Sequence, residues 1–190
     1  GQSCYHTHLF VAENILSHTI AGDFDVVCDM VAGTDAFAYS LHLQFDAIVL
    51  IAEPTPESAE VCALYTNLAK ESGIESLVHL VGNKVVDAED AAFIAKCAGR
   101  QPLGIVPLMP ALKKARQRGE AITADLLEAP LGALMKTIEE KAHNPRLSAQ
   151  ARFSMLQALH GQLNKKSWVQ LAYGDVMQQV DPDFKMESAA

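Results

Sequence analysis

The sequence predicts an α/β domain, with a mostly parallel sheet flanked by helices and a helical carboxyl-terminal tail. Three observations predict it. Four short runs rich in Val, Ile and Leu are too continuously apolar for strands with one wet face, and so read as strands covered on both sides. Segments of helical spacing separate these runs, the alternation that right-handed crossovers between parallel strands require. The last third carries helical spacings and no convincing strand.

In chain order, Leu9, Phe10, Ile15 and Leu16 with Ser17 and His18 predict an amphipathic helix closed by Gly22. Phe24 to Met30 is the first expected strand, and Asp46 to Glu53 (DAIVLIAE) the second. Pro54 and Pro56 force a turn. Glu57-Ser58 then opens a helix whose Val61, Leu64, Tyr65 and Leu68 fall at i, i+3, i+4 and i+7, and Gly73 ends it. Ser76 to Val81, the third strand, runs into Gly82-Asn83-Lys84; Asp87 to Ala98 is an acid-started helix stopped by Gly99. Pro102 to Leu108 is the fourth strand. Helices are expected over Ala111 to Arg118, over Leu126 to Ala142 with an interruption at Pro130, and over Ala149 to Leu163. The expected organisation is an α/β domain over residues 1–145 and a helical tail over 146–190 packing on it, joined by the polar step from His143 to Ser148.

Composition narrows the function. An apolar fraction of 49% supports a sizeable core, and a formal charge of -8 disfavours a broad phosphate-backbone footprint, so nucleic acid is an unexpected partner. The longest apolar runs are strand-sized, so no membrane span is expected, and the amino terminus lacks the basic-then-apolar pattern of a secretion signal. Of Cys4, Cys28, Cys62 and Cys97, three sit in apolar periodic segments where free buried thiols are common, which points to a reducing cytoplasm. The opening Gly1-Gln2 fits a fragment as well as a processed or naturally short chain.

In open α/β sheets ligands sit beyond the carboxyl ends of the strands. Asp29, in the run DVVCDMVAGTD, is placed to hold magnesium through water, and Gly33 to let its amide approach a terminal phosphate; Asp29 equally serves as a loop cap. Asn83 offers an amide that matches a purine edge, and Lys84 an aliphatic stem that covers a ring face, although a strand-to-helix turn also favours asparagine for structure. Pro107, Leu108 and Met109 would lie beside the same base pocket, or serve as loop punctuation. No G-x-x-x-x-G-K-[ST] loop occurs in the 190 residues, nor a dinucleotide fingerprint or nucleophile elbow. His18 and His79 read as hydrogen-bonding groups beside helix or strand ends. Lys113, Lys114, Arg116 and Arg118 read as a solvated helical face.

Taken together, DVVCDMVAGTDAF, FDAIVLIAEPTPESAE, VGNKV and IVPLMPALKKARQRGEAI resemble the carboxyl-terminal portion of the deviant-Walker P-loop ATPases over about Ser3 to Ile122. The group they are most similar to is the carbon monoxide dehydrogenase accessory ATPases, which insert nickel. The resemblance implies a P-loop NTPase-like fold whose amino-terminal strand and phosphate loop are missing. It implies that Asp29 positions magnesium and water, that Gly33 senses the γ-phosphate, that Asn83 reads adenine, and that Pro107 and the residues after it flank the base. It also implies ATP and magnesium as cofactors of the complete protein, dimerisation around ATP, and a metalloenzyme client. Val31 and Ala38-Tyr39 depart from the acidic and basic residues usual around this switch.

Because backbone amides and a lysine in the phosphate loop supply most of the grip on a triphosphate, the chain by itself is not expected to hydrolyse ATP. It would be an ATPase only when completed by such a loop, within a longer protein or from a complementing chain. The alternative is a degenerate, non-catalytic subunit acting as a protein-interaction module. A second site is suggested by Cys4, His6 and His8, which alternate and would share one side of an extended segment as ligands for zinc or nickel. The nickel-inserting members carry a C-x-C pair near this location, and the resemblance implies that two copies of Cys4 and His6 across a homodimer axis would give four ligands. A short Cys/His cluster near a chain start is also an ordinary mobile end.

Overall fold

Three parallel strands organise residues 46–145 in a computed structural model that describes residues 11–16, 25–31, 33–37, 40–143 and 147–179. β1 (Ile48–Ala52), β2 (Val78–Val85) and β3 (Gly104–Pro107) pair in that spatial order, with Ile48 opposite Val78 and Gly82 opposite Ile105. Helices α1 (Pro56–Glu71) and α2 (Ala88–Ala98) make the crossovers, and α3 (Pro110–Gln117) and α4 (Ala124–His143) follow β3. The expected α/β class is what the chain forms.

Local chemistry sets the helix starts. Thr55 caps α1 by accepting from the Ser58 amide at 3.3 Å, and Pro56 occupies the first turn, where its missing N–H costs nothing. Asp87 caps α2 by accepting from the amides of Glu89 and Asp90 at 2.9 and 3.0 Å, while Asp90 reaches back to accept from the Val86 amide at 2.8 Å. Gly99, at φ 65°, ends α2 in the left-handed conformation that glycine adopts without strain.

The core lies between the sheet and the α1 and α2 pair: Ala52, Leu80 and Val85 from the strands meet Cys62, Ile94 and Ala98 from the helices. Leu80 and Val85 share a face although they lie an odd number of positions, five, apart, because β2 carries a bulge. Three steps from Gly82 to Val85 match two steps from Ile105 to Pro107 on β3, so the alternation of faces is reset. A Cβ at Gly82 would stand 2.7 Å from Ile105 Cδ1, so the end of that side chain would have to move aside for any larger residue. On the other side of β3, α4 packs so closely at Gly104 that a Cβ there would lie 2.6 Å from Leu134 Cδ1.

The described residues of Ala32–Thr34 and Asp46–Pro145 form one compact unit; those of Gly1–Val31, Asp35–Phe45 and Arg146–Ala190 form a second. In the second, short 3-10 turns at Asp35–Phe37 and Leu41–Leu43 accompany α5 (Ala149–Asn164), α6 (Ser167–Tyr173) and a turn at Val176–Gln179. Buried His42 donates from Nδ1 to the Ala36 carbonyl at 3.3 Å and stacks on Phe37, with ring centroids 4.8 Å apart. Arg152 on α5 donates to the carbonyls of Leu43 and Phe45, tying that helix to the Leu41–Leu43 turn.

Several expectations are corrected. Residues 25–30, expected as a buried strand, are irregular, with Val27 91% exposed and Cys28 exposed as well. An apolar run becomes a strand only where a neighbouring strand satisfies its backbone, and no described strand pairs with this one. The inward face of α1 is not the Val61, Leu64, Leu68 stripe but Ala59, Cys62, Tyr65, Thr66 and Ala69; only Tyr65 belongs to both. Small side chains win because α1 must pack against both β1 and α2. The third strand begins at Val78 rather than Ser76 and runs on through Asn83 and Lys84, and α4 is continuous through Pro130. In the first expected helix, residues 11–16 are helical, but Ile15 is exposed; Leu9, Phe10, His18 and Gly22 lie outside the described residues.

Candidate nucleotide site

The bulge in β2 builds the site. Asn83 and Lys84 occupy it at the carboxyl end of the central strand, where the doubly wound architecture places ligands. Lys84 has φ 58°, a left-handed backbone that costs a residue with a Cβ about 1 kcal/mol. Its ammonium pairs with Glu53 just past the end of β1, Nζ to Oε1 2.6 Å, with both side chains partly exposed. Glu53 is held in turn, its amide donating to Ser58 Oγ at 2.9 Å in the first turn of α1.

The neighbouring strand completes the cluster. Pro107 stands opposite Val85, and the Leu108 amide donates to the Val85 carbonyl at 2.9 Å. Met109 precedes Pro110, the first residue of α3. Asn83, Lys84, Pro107, Leu108 and Met109, expected to share one pocket, thus stand together on two adjacent strand ends. Asn83 and Met109 are half-buried; Lys84, Pro107 and Leu108 are exposed, Leu108 by 48%. The arrangement brings an amide, an apolar rim and a left-handed backbone position to one end of the sheet.

The remaining expected residues are placed differently. Asp29 is exposed in the irregular segment of one compact unit, whereas Gly33 belongs to the other, with φ 129° that favours glycine. Cys4, His6 and His8 lie outside the described residues, and no group of three or more His, Cys, Asp or Glu side chains arranged for a metal ion occurs among the described ones. Sequence reasoning missed Glu53 as a site residue; its signal was its position as the last residue of DAIVLIAE, at a strand's carboxyl end. Lys113, Lys114, Arg116 and Arg118 are exposed, as expected of a solvated face. A hollow of about 740 Å³ runs along Ala88, Ala91, Ala95 and Gly99 to Ile105 and includes none of the expected site residues. No helix among the described residues is long and apolar enough to cross a membrane.

Comparison with known proteins adds one relative. The chain is 28% identical over 121 residues to the carbon monoxide dehydrogenase accessory protein CooC of Rhodospirillum rubrum, a match covering 63% of this chain and 46% of that protein. The chain therefore spans about half the length of the curated relative it matches. No family model matches, and no solved structure does. The similarity supports a relationship to this accessory protein, and the parallel sheet flanked by helices fits a P-loop NTPase-like α/β fold.

Proposed function

We propose that the chain is the sensing and base-reading part of an ATP-binding switch protein of the accessory, metal-insertion type. The observation that carries the reading is the bulge that sets Asn83 and the strained Lys84 beside Pro107, Leu108 and Met109 at the carboxyl end of a parallel sheet. Backbone strain of this kind persists where the surroundings over-determine it, and it clusters at ligand sites. The similarity to a carbon monoxide dehydrogenase accessory protein supports the same reading.

The residues present fit one half of the nucleotide. Asn83 supplies both a donor and an acceptor for the adenine edge, the Lys84 stem and Leu108 cover its faces, and Pro107 and Met109 close the rim. For the phosphates the fit fails. Lys84 is engaged by Glu53, and the sequence holds no glycine-rich loop ending in lysine. Base contacts contribute roughly 1 kcal/mol each, too little to offset immobilising a solvated triphosphate. ATP hydrolysis then requires a phosphate loop from elsewhere, with Asp29 directed at magnesium and Gly33 at the γ-phosphate. A symmetric pair of Cys4 and His6 across a homodimer would carry the transferred metal, zinc or nickel, toward a metalloenzyme client in the cytoplasm.

Calorimetry of the 190-residue protein with magnesium and ATP tests this. We expect no turnover and only weak binding, with adenosine bound as well as ATP and lost in Asn83→Ala. Submicromolar ATP affinity or measurable hydrolysis would sink the reading. Stoichiometric zinc or nickel that disappears in Cys4→Ala would support the metal assignment; metal content unchanged by that substitution would remove it. A second reading, a non-catalytic interaction subunit, is favoured by β1, an edge strand with Ile51 60% exposed. It predicts that amide exchange at residues 48–52 slows as protein concentration rises.

A further inference from the structure

At the end of the sheet opposite the candidate nucleotide site, a shallow hollow of about 210 Å³ is lined by Val78, His79, Leu80, Arg100, Leu103 and Lys141, among others. His79 is the second residue of β2, Arg100 follows the Gly99 cap of α2, and Lys141 stands in the last turn of α4. Three elements distant in sequence thus bring two cations and an imidazole to one place in a chain whose formal charge is -8.

Arg100 is held in position. Its Nη1 donates to the Val78 carbonyl, and its Nη2 donates to the Glu75 carbonyl at 3.3 Å, which leaves three of its five N–H groups uncommitted by these bonds. The carboxylate near it, Glu75, is 4.0 Å from Nη2 and is shared with Lys70 at 3.7 Å. Lys141 makes no ion pair with a described residue. Burial lowers the pKa of His79, and Lys141 and Arg100 lower it further; no carboxylate acts on the ring in the opposite sense. The hollow is therefore polarised toward a negative guest, and it is large enough for a tetrahedral oxyanion.

We propose that His79, Arg100 and Lys141 form a binding site for a small phosphate-class oxyanion, free or as a phosphate monoester, separate from the nucleotide site. Arg100 provides a pre-set fork, Lys141 a mobile counter-charge, and His79 a proton that is taken up as the anion enters. Binding then tightens as pH falls, because the guest relieves the repulsion that the two cations exert on imidazolium. Of the other charged groups at this end, Glu75 is divided between Lys70 and Arg100, and Glu140 and His143 stand beside Lys141 in the last turn of α4.

The test is the titration of the His79 ring by NMR in the 190-residue protein, with inorganic phosphate, methyl phosphate or chloride at matched ionic strength. We expect phosphate to raise the His79 pKa saturably and chloride to leave it in place. Lys141→Gln, an exposed change that should not disturb folding, is expected to weaken the effect about tenfold, and Arg100→Gln at least as much. Tighter binding of methyl phosphate would identify an ester as the guest, and tighter inorganic phosphate the free ion. If Arg100 and Lys141 merely neutralise the carbonyl ends of α2 and α4, His79 will not respond to phosphate, or will respond equally in Lys141→Gln, and the proposal fails. ATP binding at the other end of the sheet plays no part in this readout.

Discussion

Lys84 shows how much a single residue can conceal. Its identity and its neighbour Asn83 were legible as candidate ligands, but its φ of 58° was not, because nothing in a lysine announces a left-handed backbone. The Glu53 pair is partly exposed on both sides and contributes at most about 1 kcal/mol. The strain costs a similar amount. Lys84→Ala should lose the ion pair and keep the strain, whereas Lys84→Gly loses both. Chemical denaturation should therefore find Lys84→Gly more stable than Lys84→Ala by about 1 kcal/mol. Equal stabilities would mean that the bulge relaxes freely, leaving no strain for a ligand site to hold.

At the level of elements, β3 and α4 approach closely at Gly104. A methyl group at Gly104 would meet Leu134 Cδ1 at 2.6 Å, so Gly104→Ala must push the end of a leucine side chain aside at a cost of about 1–3 kcal/mol. Leu134→Ala removes the obstacle. In a double-mutant cycle followed by thermal unfolding, the penalty of Gly104→Ala should shrink in the Leu134→Ala background; additive effects would contradict this packing. Elements with strong local signals were legible: β1, α2 with its Asp87 and Gly99 caps, β3 and α5 all form where apolar spacing and capping residues put them. What failed depended on partners. The inward face of α1 was decided by the width of the space between β1 and α2, which admits Ala59, Cys62 and Ala69 and turns Val61 and Leu64 outward. Residues 25–30 carry a strand's composition without a described strand to pair with.

For the whole molecule, buried Tyr65 and half-buried His79 of the sheet unit each make stability depend on pH, and buried Cys62, its thiol also pushed up by burial, adds to the alkaline side. Burial pushes the Tyr65 phenol from its usual value near 10 up to about 12. Between those values the unfolded chain has lost the proton that the folded chain keeps, so stability present below pH 10 falls as pH rises toward 12, by roughly 2–3 kcal/mol in all. His79 acts at the other end. Its pKa is lowered from 6.5 by burial and by Lys141 and Arg100, so below pH 6.5 the unfolded chain binds more protons and stability falls with pH, levelling off once the folded ring is protonated too. Urea titrations across pH should show the alkaline loss reduced in Tyr65→Phe, with the Cys62 contribution remaining, and the acid loss reduced in His79→Gln. A loss unchanged by its substitution would reassign it. The sequence by itself determined the α/β class, the order of strands and helices from residue 46 onward, and the residues that would crowd the strand ends, because composition, periodicity and capping act over a few neighbouring positions. Only the tertiary structure decided the bulge, the Glu53 to Lys84 contact and the gathering of His79, Arg100 and Lys141. Each depends on strand register or on side chains meeting from elements distant along the chain, and no local pattern encodes such a meeting.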